Sequence, residues 1–168
     1  MVFIPRDPVA QNQFLVHDTS QGDGTESAGC VVWLSGDQLV ACVSGTTDLP
    51  YGFLMQNVRA ESSAHPTGFR LPGDLGSSDA FTGDPVAVAH LGLYDTTYYD
   101  TTTTFDAGDK LGVTTAGRVT PLDSGNSIGF GSINGVDDPS TDVVAIAQNT
   151  LDSTDVAAGE KLRIKLTI

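Results

Sequence analysis

Apolar and polar residues alternate along much of this chain, most regularly at its end. Residues 161–168 place four aliphatic side chains between four polar ones, the aliphatic set being Leu162, Ile164, Leu166 and Ile168 and the polar set Lys161, Arg163, Lys165 and Thr167. A period of two residues is typical of a strand with one face in the core and one in solvent. We therefore predict a terminal strand whose basic outer face suits the acidic surface of a neighbouring strand or subunit.

The same alternation, interrupted by turns that contain glycine, fills residues 105–131. The pattern predicts turns at 107–109 and 115–117, strands at 110–114, at 118–122 and from Ile128, and a loop at 123–127. A glycine, an acidic residue and then alternating apolar positions recur from Gly36, Gly83, Gly108 and Gly159. The intervals between these copies are unequal, so they indicate a reused way of starting a strand and not a solenoid.

The other apolar segments are short and lie between turn residues. We predict strands at 14–16, 84–93 and 143–147, a hairpin over 30–43, and a strand or short helix at 51–58. The run of threonine and tyrosine at 95–105 suits an exposed strand or hairpin. A three-residue hairpin loop at 35–37 places Leu34 opposite Gln38 and Cys30 opposite Cys42, whereas a four-residue loop makes the cysteines diagonal neighbours. In a chain without a secretory signal we expect two buried thiols.

Residues 1–13 have the pattern of an extended arm that precedes a single domain over 14–168. Pro5 and Pro8 exclude a central strand, and Val2, Phe3 and Ile4 form an apolar segment too short to stand alone. Such a segment is either frayed or paired with an edge strand of a neighbour, and we favour pairing because Phe3 and Ile4 would otherwise be exposed. The candidate partner contacts are Val2, Phe3, Ile4, Arg6 and Phe14.

Composition favours the all-β class. The 168 residues are rich in glycine, threonine and aspartate and poor in lysine, glutamate and methionine, which disfavours long helices. We predict one compact β-barrel or β-sandwich of short antiparallel strands, with an extended N-terminal arm and long loops.

Charge limits the partners. The chain carries 18 Asp and 3 Glu against 8 Lys plus Arg, a net charge of −13. This balance repels nucleic acid and anionic membranes, so we expect neither as a partner. The first residues lack the pattern of a signal peptide, and no apolar run is long enough to span a bilayer, which favours synthesis in a cytoplasm.

No motif for catalysis or cofactor binding is visible. The three histidines, His17, His65 and His90, each stand alone, and hydrolase, zinc and phosphate-loop motifs are absent. The loops at 123–127 and 137–142 are rich in oxygen ligands suited to calcium, but they lack EF-hand spacing, and Asx turns are the favoured interpretation. We expect no enzymatic activity, no cofactor and no metal.

Three segments resemble a known family: Gly83 to Val88, Ala107 to Thr120 and Ser127 to Gly131. They are similar to the turn and strand motifs of the head decoration (capsid cement) proteins of tailed bacteriophages, over residues 82–147. The resemblance implies a β-rich structural protein on the virion exterior. It would dock, often as a trimer, on the major capsid protein and stabilise the shell, and it carries over no enzymatic residues.

Two further hypotheses concern how such a protein would bind. If residues 1–13 cross to a neighbouring subunit, their deletion should abolish capsid binding and leave melting nearly unchanged. The alternative function is a phage fibre or adhesin module that binds host glycans through segment 95–105, with Tyr98 and Tyr99 as contacts. An enzyme such as a nucleotide hydrolase or glycosidase ranks last.

Overall fold

The fold is built almost entirely from short strands. A computed structural model describes residues 3–5, 12–17, 27–41, 49–59, 79–81, 85–114, 116–124, 132–133, 136–137 and 143–168. The strands are β1 (Phe3–Pro5), β2 (Asn12–His17), β3 (Val31–Ser35), β4 (Gln38–Ala41), β5 (Pro50–Leu54), β6 (Asn57–Arg59), β7 (Asp79–Phe81), β8 (Pro85–Ala89), β9 (Leu93–Thr96), β10 (Lys110–Val113), β11 (Val119–Pro121), β12 (Ser132–Ile133), β13 (Val136–Asp137), β14 (Ala145–Ala147) and β15 (Leu162–Leu166). A 3-10 turn covers Leu122–Ser124, and helix α1 covers Ser153–Ala158. The predicted all-β class is confirmed.

A six-stranded sheet holds the larger part of the core. Its strand order is β1-β9-β15-β14-β10-β11, and every neighbouring pair is antiparallel. The alternation predicted for the terminal strand is present, since Leu162, Ile164 and Leu166 are buried while Arg163 and Lys165 are exposed. The predicted strand pair after Gly108 is also present, as the hairpin of β10 and β11.

Five further strands close into a barrel in the order β2-β4-β3-β5-β8. A row of three barrel residues, Val31, Phe53 and Ala89, lies side by side on β3, β5 and β8 and belongs to the same apolar cluster as Tyr94 and Ile164 of the sheet. A second cluster, which includes Val32, Leu39, Leu54, Val86 and Val88, belongs to the barrel itself. The sheet therefore packs against the outside of the barrel.

Two strand pairs depart from the predicted antiparallel arrangement. Strands β2 and β4 are parallel, and so are β6 and β7. A closed ring with an odd number of strands cannot alternate direction all the way round, so the five-stranded barrel needs a parallel pair. The β2/β4 pair fills that place.

The hairpin of β3 and β4 has a shorter loop than either predicted version. Ser35 pairs with Gln38 and Leu34 with Leu39, which leaves the two residues Gly36 and Asp37 in the turn. The predicted pairing of Leu34 with Gln38, on which the opposition of the cysteines depended, is therefore wrong. Cys30 is a buried free thiol, and Cys42 lies outside the described residues.

Segment 51–58, predicted as a strand or a short helix, forms parts of two strands, β5 and β6, which confirms the strand alternative. One further prediction is corrected by tertiary packing. The run at 95–105 is not an exposed hairpin: after β9 it crosses the molecule, burying Tyr99 and Phe105 at 2% and 1% exposure. Their rings meet edge to face, with centroids 5.4 Å apart, so the aromatic residues of this run serve the core.

Helix α1 lies in the connection between β14 and β15. Asp152 caps it by accepting hydrogen bonds from the backbone N–H groups of Thr154 and Asp155, and the Asp155 carboxylate accepts one from the N–H of Asp152. This capping box stabilises a six-residue helix that hydrophobic periodicity alone does not reveal.

Candidate interaction surface

All three lysines of the chain lie on the outer face of the six-stranded sheet. Lys165 on β15 lies beside Ile146 on β14, and Ile146 lies beside Lys110 on β10. Residues directly opposite each other on neighbouring strands point to the same face, so the two lysines share that face about 10 Å apart, two strand spacings. Lys161 joins them on the same side of β15 by alternation, and all three are exposed. We call this surface the lysine face.

Arg163 also lies on the lysine face, but its charge is compensated. Its Nε donates a 2.9 Å hydrogen bond to Oδ1 of Asp95, which lies opposite on β9 and is only 2% exposed. The hydrogen bond from Arg163 and the charge of Asp95 raise the pKa of the guanidinium. Asp95 needs this partner because a buried carboxylate without one is costly. Among the described residues, the three lysines form no ion pair.

Apolar residues separate the cations. Half-buried Ile146 lies between Lys165 and Lys110, and half-buried Leu93 on β9 lies on the other side of Lys165. The start of β15 is fixed by Asn149, whose side chain accepts a hydrogen bond from the N–H of Arg163 and donates one to the carbonyl of Lys161. The surface is therefore a firmly held strand face that mixes aliphatic and cationic groups, a composition suited to a protein partner.

A polar cleft lies near the end of the sheet where β10 begins. Its volume is about 450 Å³, and its lining comprises Thr102, Thr103, Thr104, Asp106, Asp109, Pro121, Asp123 and Ser124. The Asp109 carboxylate accepts from the N–H of Asp106, while buried Asp100 nearby accepts from the N–H and hydroxyl of Thr102 and the hydroxyl of Thr120. These two aspartates thus stabilise their own turns through hydrogen bonds from side chain to backbone.

The described residues include part of the segments that were considered for metal binding. In the part of the chain that the structure describes, no three His, Cys, Asp or Glu side chains are grouped closely enough to hold a metal ion. Of the two oxygen-rich loops that were considered for calcium, Asp123 and Ser124 are described, but the rest of loop 123–127 is not. Loop 137–142 lies outside the described residues apart from the backbone of Asp137.

Phe3, one of the predicted partner contacts, belongs to the chain's own core. Strand β1 pairs with β9, and the Phe3 ring stacks on Tyr94 and on Phe53, with centroids 4.4 and 5.7 Å away. At 7% exposure, Phe3 needs no neighbouring subunit to cover it, so the expected exposure of this side chain is wrong. The backbones of Ile4 and Phe14 lie in β1 and β2, whereas Val2 and Arg6 lie outside the described residues.

The remaining candidate residues are not brought together. His90 is half-buried and makes an edge contact with Tyr51, with centroids 4.8 Å apart. His17 is described by its backbone alone, and His65 is not described. Tyr99 donates a 2.7 Å hydrogen bond to the carbonyl of Glu160, and Tyr98 donates to the carbonyl of Ala116 beneath Arg118.

Sequence reasoning missed the grouping of Lys110 with Lys161 and Lys165. The alternation in residues 161–168 revealed two of the three lysines, but the third joins them only because β14 lies between β15 and β10. Among the described residues, no helix has the length and apolar character needed to span a bilayer. No protein-family model matches the chain, and no curated protein proves similar to it in sequence.

Proposed function

We propose that this protein is a structural virion protein, a capsid decoration protein of a tailed bacteriophage. It binds the outer face of the major capsid shell, as a homotrimer, and stabilises that shell without catalysing a reaction. The observation that supports the proposal most is the β10–β11 unit, where the residues that resemble the family form the turns and strands that the sequence predicts.

The two motif glycines of this unit support the resemblance. Gly108 and Gly117 have φ of 101° and 70°, a backbone conformation that side-chain-bearing residues rarely adopt. Gly108 opens β10, and Gly117 closes the turn into β11, with its carbonyl accepting a hydrogen bond from Val31 of the barrel. Gly108 thus lies before the hairpin and Gly117 in its turn, and the carbonyl of Gly117 joins the hairpin to the barrel.

The lysine face supports a binding role. It is an exposed strand face of cations and aliphatic groups, so it offers a broad surface to another protein. A decoration protein needs such surfaces because its stabilising effect comes from contacts that bridge other subunits.

Co-sedimentation with capsids tests the proposal. The purified protein is mixed with undecorated capsids of the phage that encodes it, and with capsids of an unrelated phage as the control. We expect saturable binding to the cognate shells alone, together with a higher melting temperature of the shell, because a ligand that binds the assembled state stabilises it. Protein that stays in the supernatant at every concentration would count against the proposal.

The alternative, a glycan-binding fibre or adhesin module, depended on Tyr98 and Tyr99. Tyr99 is 2% exposed and Tyr98 is held between Ala116 and Arg118, so the tyrosines do not form an open stacking platform. A glycan array with the wild type and with Tyr98→Ala tests this alternative, which predicts binding that the substitution removes.

A further inference from the structure

The lysine face is a concentration of positive charge on a strongly acidic chain. Lys110, Lys161 and Lys165 are exposed and form no ion pair with any described carboxylate, while the chain as a whole carries −13. The other basic side chain that is described outside this face, Arg118, lies 5.4 Å from the centre of the Tyr98 ring. Three cations that form no ion pair with a described carboxylate therefore share one surface.

Charge complementarity limits the classes of partner that the lysine face can bind. Nucleic acid is disfavoured because the rest of the chain repels phosphate. A second lysine face is disfavoured because like charges would meet. An acidic protein surface fits best, and the chain itself presents one.

That acidic surface lies at the end of the sheet where β10 begins. Asp106 and Asp123 line the polar cleft there and are exposed. The turn of Asp106 is joined to the segment before α1, since the N–H of Ala107 donates to the hydroxyl of Thr150 and Phe105 pairs with Leu151. This brings exposed Asp152 to the same end. We call Asp106, Asp109, Asp123 and Asp152 the acidic end.

We infer that the lysine face of one copy binds the acidic end of a second copy. The contact pairs two different surfaces of one chain, and if it repeats head-to-tail it closes a ring when its rotation allows. The lysines determine how the two copies are oriented, and Ile146 and Leu93 supply apolar contact area between the lysines. This contact deepens the homotrimer part of the proposed function, on which it rests, but it can be tested on the chain alone without capsid binding.

The net charge of the copies does not prevent this contact at physiological salt. The Debye length is about 8 Å at 0.15 M, so the mutual repulsion of two −13 chains is mostly screened over molecular distances. Groups in direct contact are screened much less. In 1 M salt, where the Debye length is about 3 Å, we expect the association to weaken.

Sedimentation velocity over a range of concentrations at 0.15 M NaCl tests the inference. We expect the wild type to self-associate and the double variant Lys161→Gln with Lys165→Gln to show a dissociation constant raised about tenfold. The control, Ser35→Glu with Ala116→Glu, makes the same change of −2 in net charge at exposed positions off the face, and we expect it to associate like the wild type.

Complementary charge reversal provides the decisive comparison. One variant carries Lys110→Glu, Lys161→Glu and Lys165→Glu, and the other carries Asp106→Lys and Asp123→Lys. We expect neither to self-associate and an equimolar mixture to form a complex, because each variant then supplies the surface that the other needs. Circular dichroism verifies that each variant is folded.

Specific outcomes would overturn the inference. They are a monomeric wild type, an oligomer that survives reversal of the three lysines, and a mixture of the two variants that does not associate. If the lysine variants keep their oligomeric state but lose co-sedimentation with capsids, the face binds the shell, and the inference fails while the proposed function stands. If the wild type self-associates through these residues but never binds capsids, the inference stands and the proposed function fails.

Discussion

Replacement of Phe3 by alanine tests whether the first strand is part of the fold. Phe3 is 7% exposed, and its ring stacks almost parallel to Tyr94, at 4.4 Å and 7°, and to Phe53, at 5.7 Å and 5°. Truncation of a buried phenylalanine to alanine commonly costs about 3–5 kcal/mol. Strand β1 has three residues and lies at a sheet edge, where neighbours relax into the space, so we expect about 3 kcal/mol.

This loss of stability is large enough to measure by two methods. For a chain of this size each kcal/mol lowers the melting temperature by about 2–4 °C, so Phe3→Ala should lower it by about 6–12 °C. Urea unfolding can be followed by the fluorescence of Trp33, the single tryptophan, which is half-buried against the main core. The control is Leu49→Ala, since Leu49 is 67% exposed and its truncation should cost less than about 0.5 kcal/mol.

The same reasoning changes the expectation for deletion of residues 1–13. That deletion removes β1 together with Phe3. It should therefore lower the melting temperature, whereas the sequence alone led us to expect a nearly unchanged value. If Phe3→Ala behaves like Leu49→Ala, β1 does not pair with β9 in solution, and the placement of Phe3 in the core is refuted.

Two further predictions concern single positions. Gly117→Ala should destabilise the protein by at least about 1 kcal/mol more than Gly36→Ala. The φ angles of the two glycines are alike, 70° and 66°, but only at Gly117 would the new Cβ lie 2.5 Å from the Cys30 sulfur. Equal losses of stability in urea unfolding would contradict this prediction. Burial first, then the charges of Glu160 and Asp155, raise the pKa of Tyr99. Ionisation of Tyr99 then favours the unfolded state, so the free energy of unfolding should fall as pH rises above about 10, by up to about 1.4 kcal/mol per pH unit from this residue. The Tyr99→Phe variant should therefore lose stability less steeply with rising pH than the wild type. Identical pH profiles would contradict that assignment.

Local patterns predicted the elements whose burial follows from neighbouring residues. The terminal strand was recognisable because its alternation places Leu162, Ile164 and Leu166 on one face, whatever the sheet order. The turns at Gly108 and Gly117 were recognisable because glycine supplies the positive φ that they need.

The features that sequence reasoning missed depend on contacts between parts of the chain that are distant in sequence. Phe3 is covered because β1 pairs with β9, some ninety positions along the chain, and no local pattern records this pairing. Tyr99 and Phe105 have the propensities of exposed strand residues, but they are buried because their segment crosses to Val119 and Leu151. The lysine face depends on sheet order, which places Lys110 beside β14.

Capsid decoration is the central proposal for this protein. Its most direct test is quantitative mass spectrometry of purified virions of the bacteriophage that we propose encodes the chain, combined with cryo-microscopy of the same particles. We predict a fixed ratio of this protein to the major capsid protein and density on the outer shell that fits the barrel and the six-stranded sheet. Virions that lack the protein, or density confined to a tail fibre, would contradict the claim.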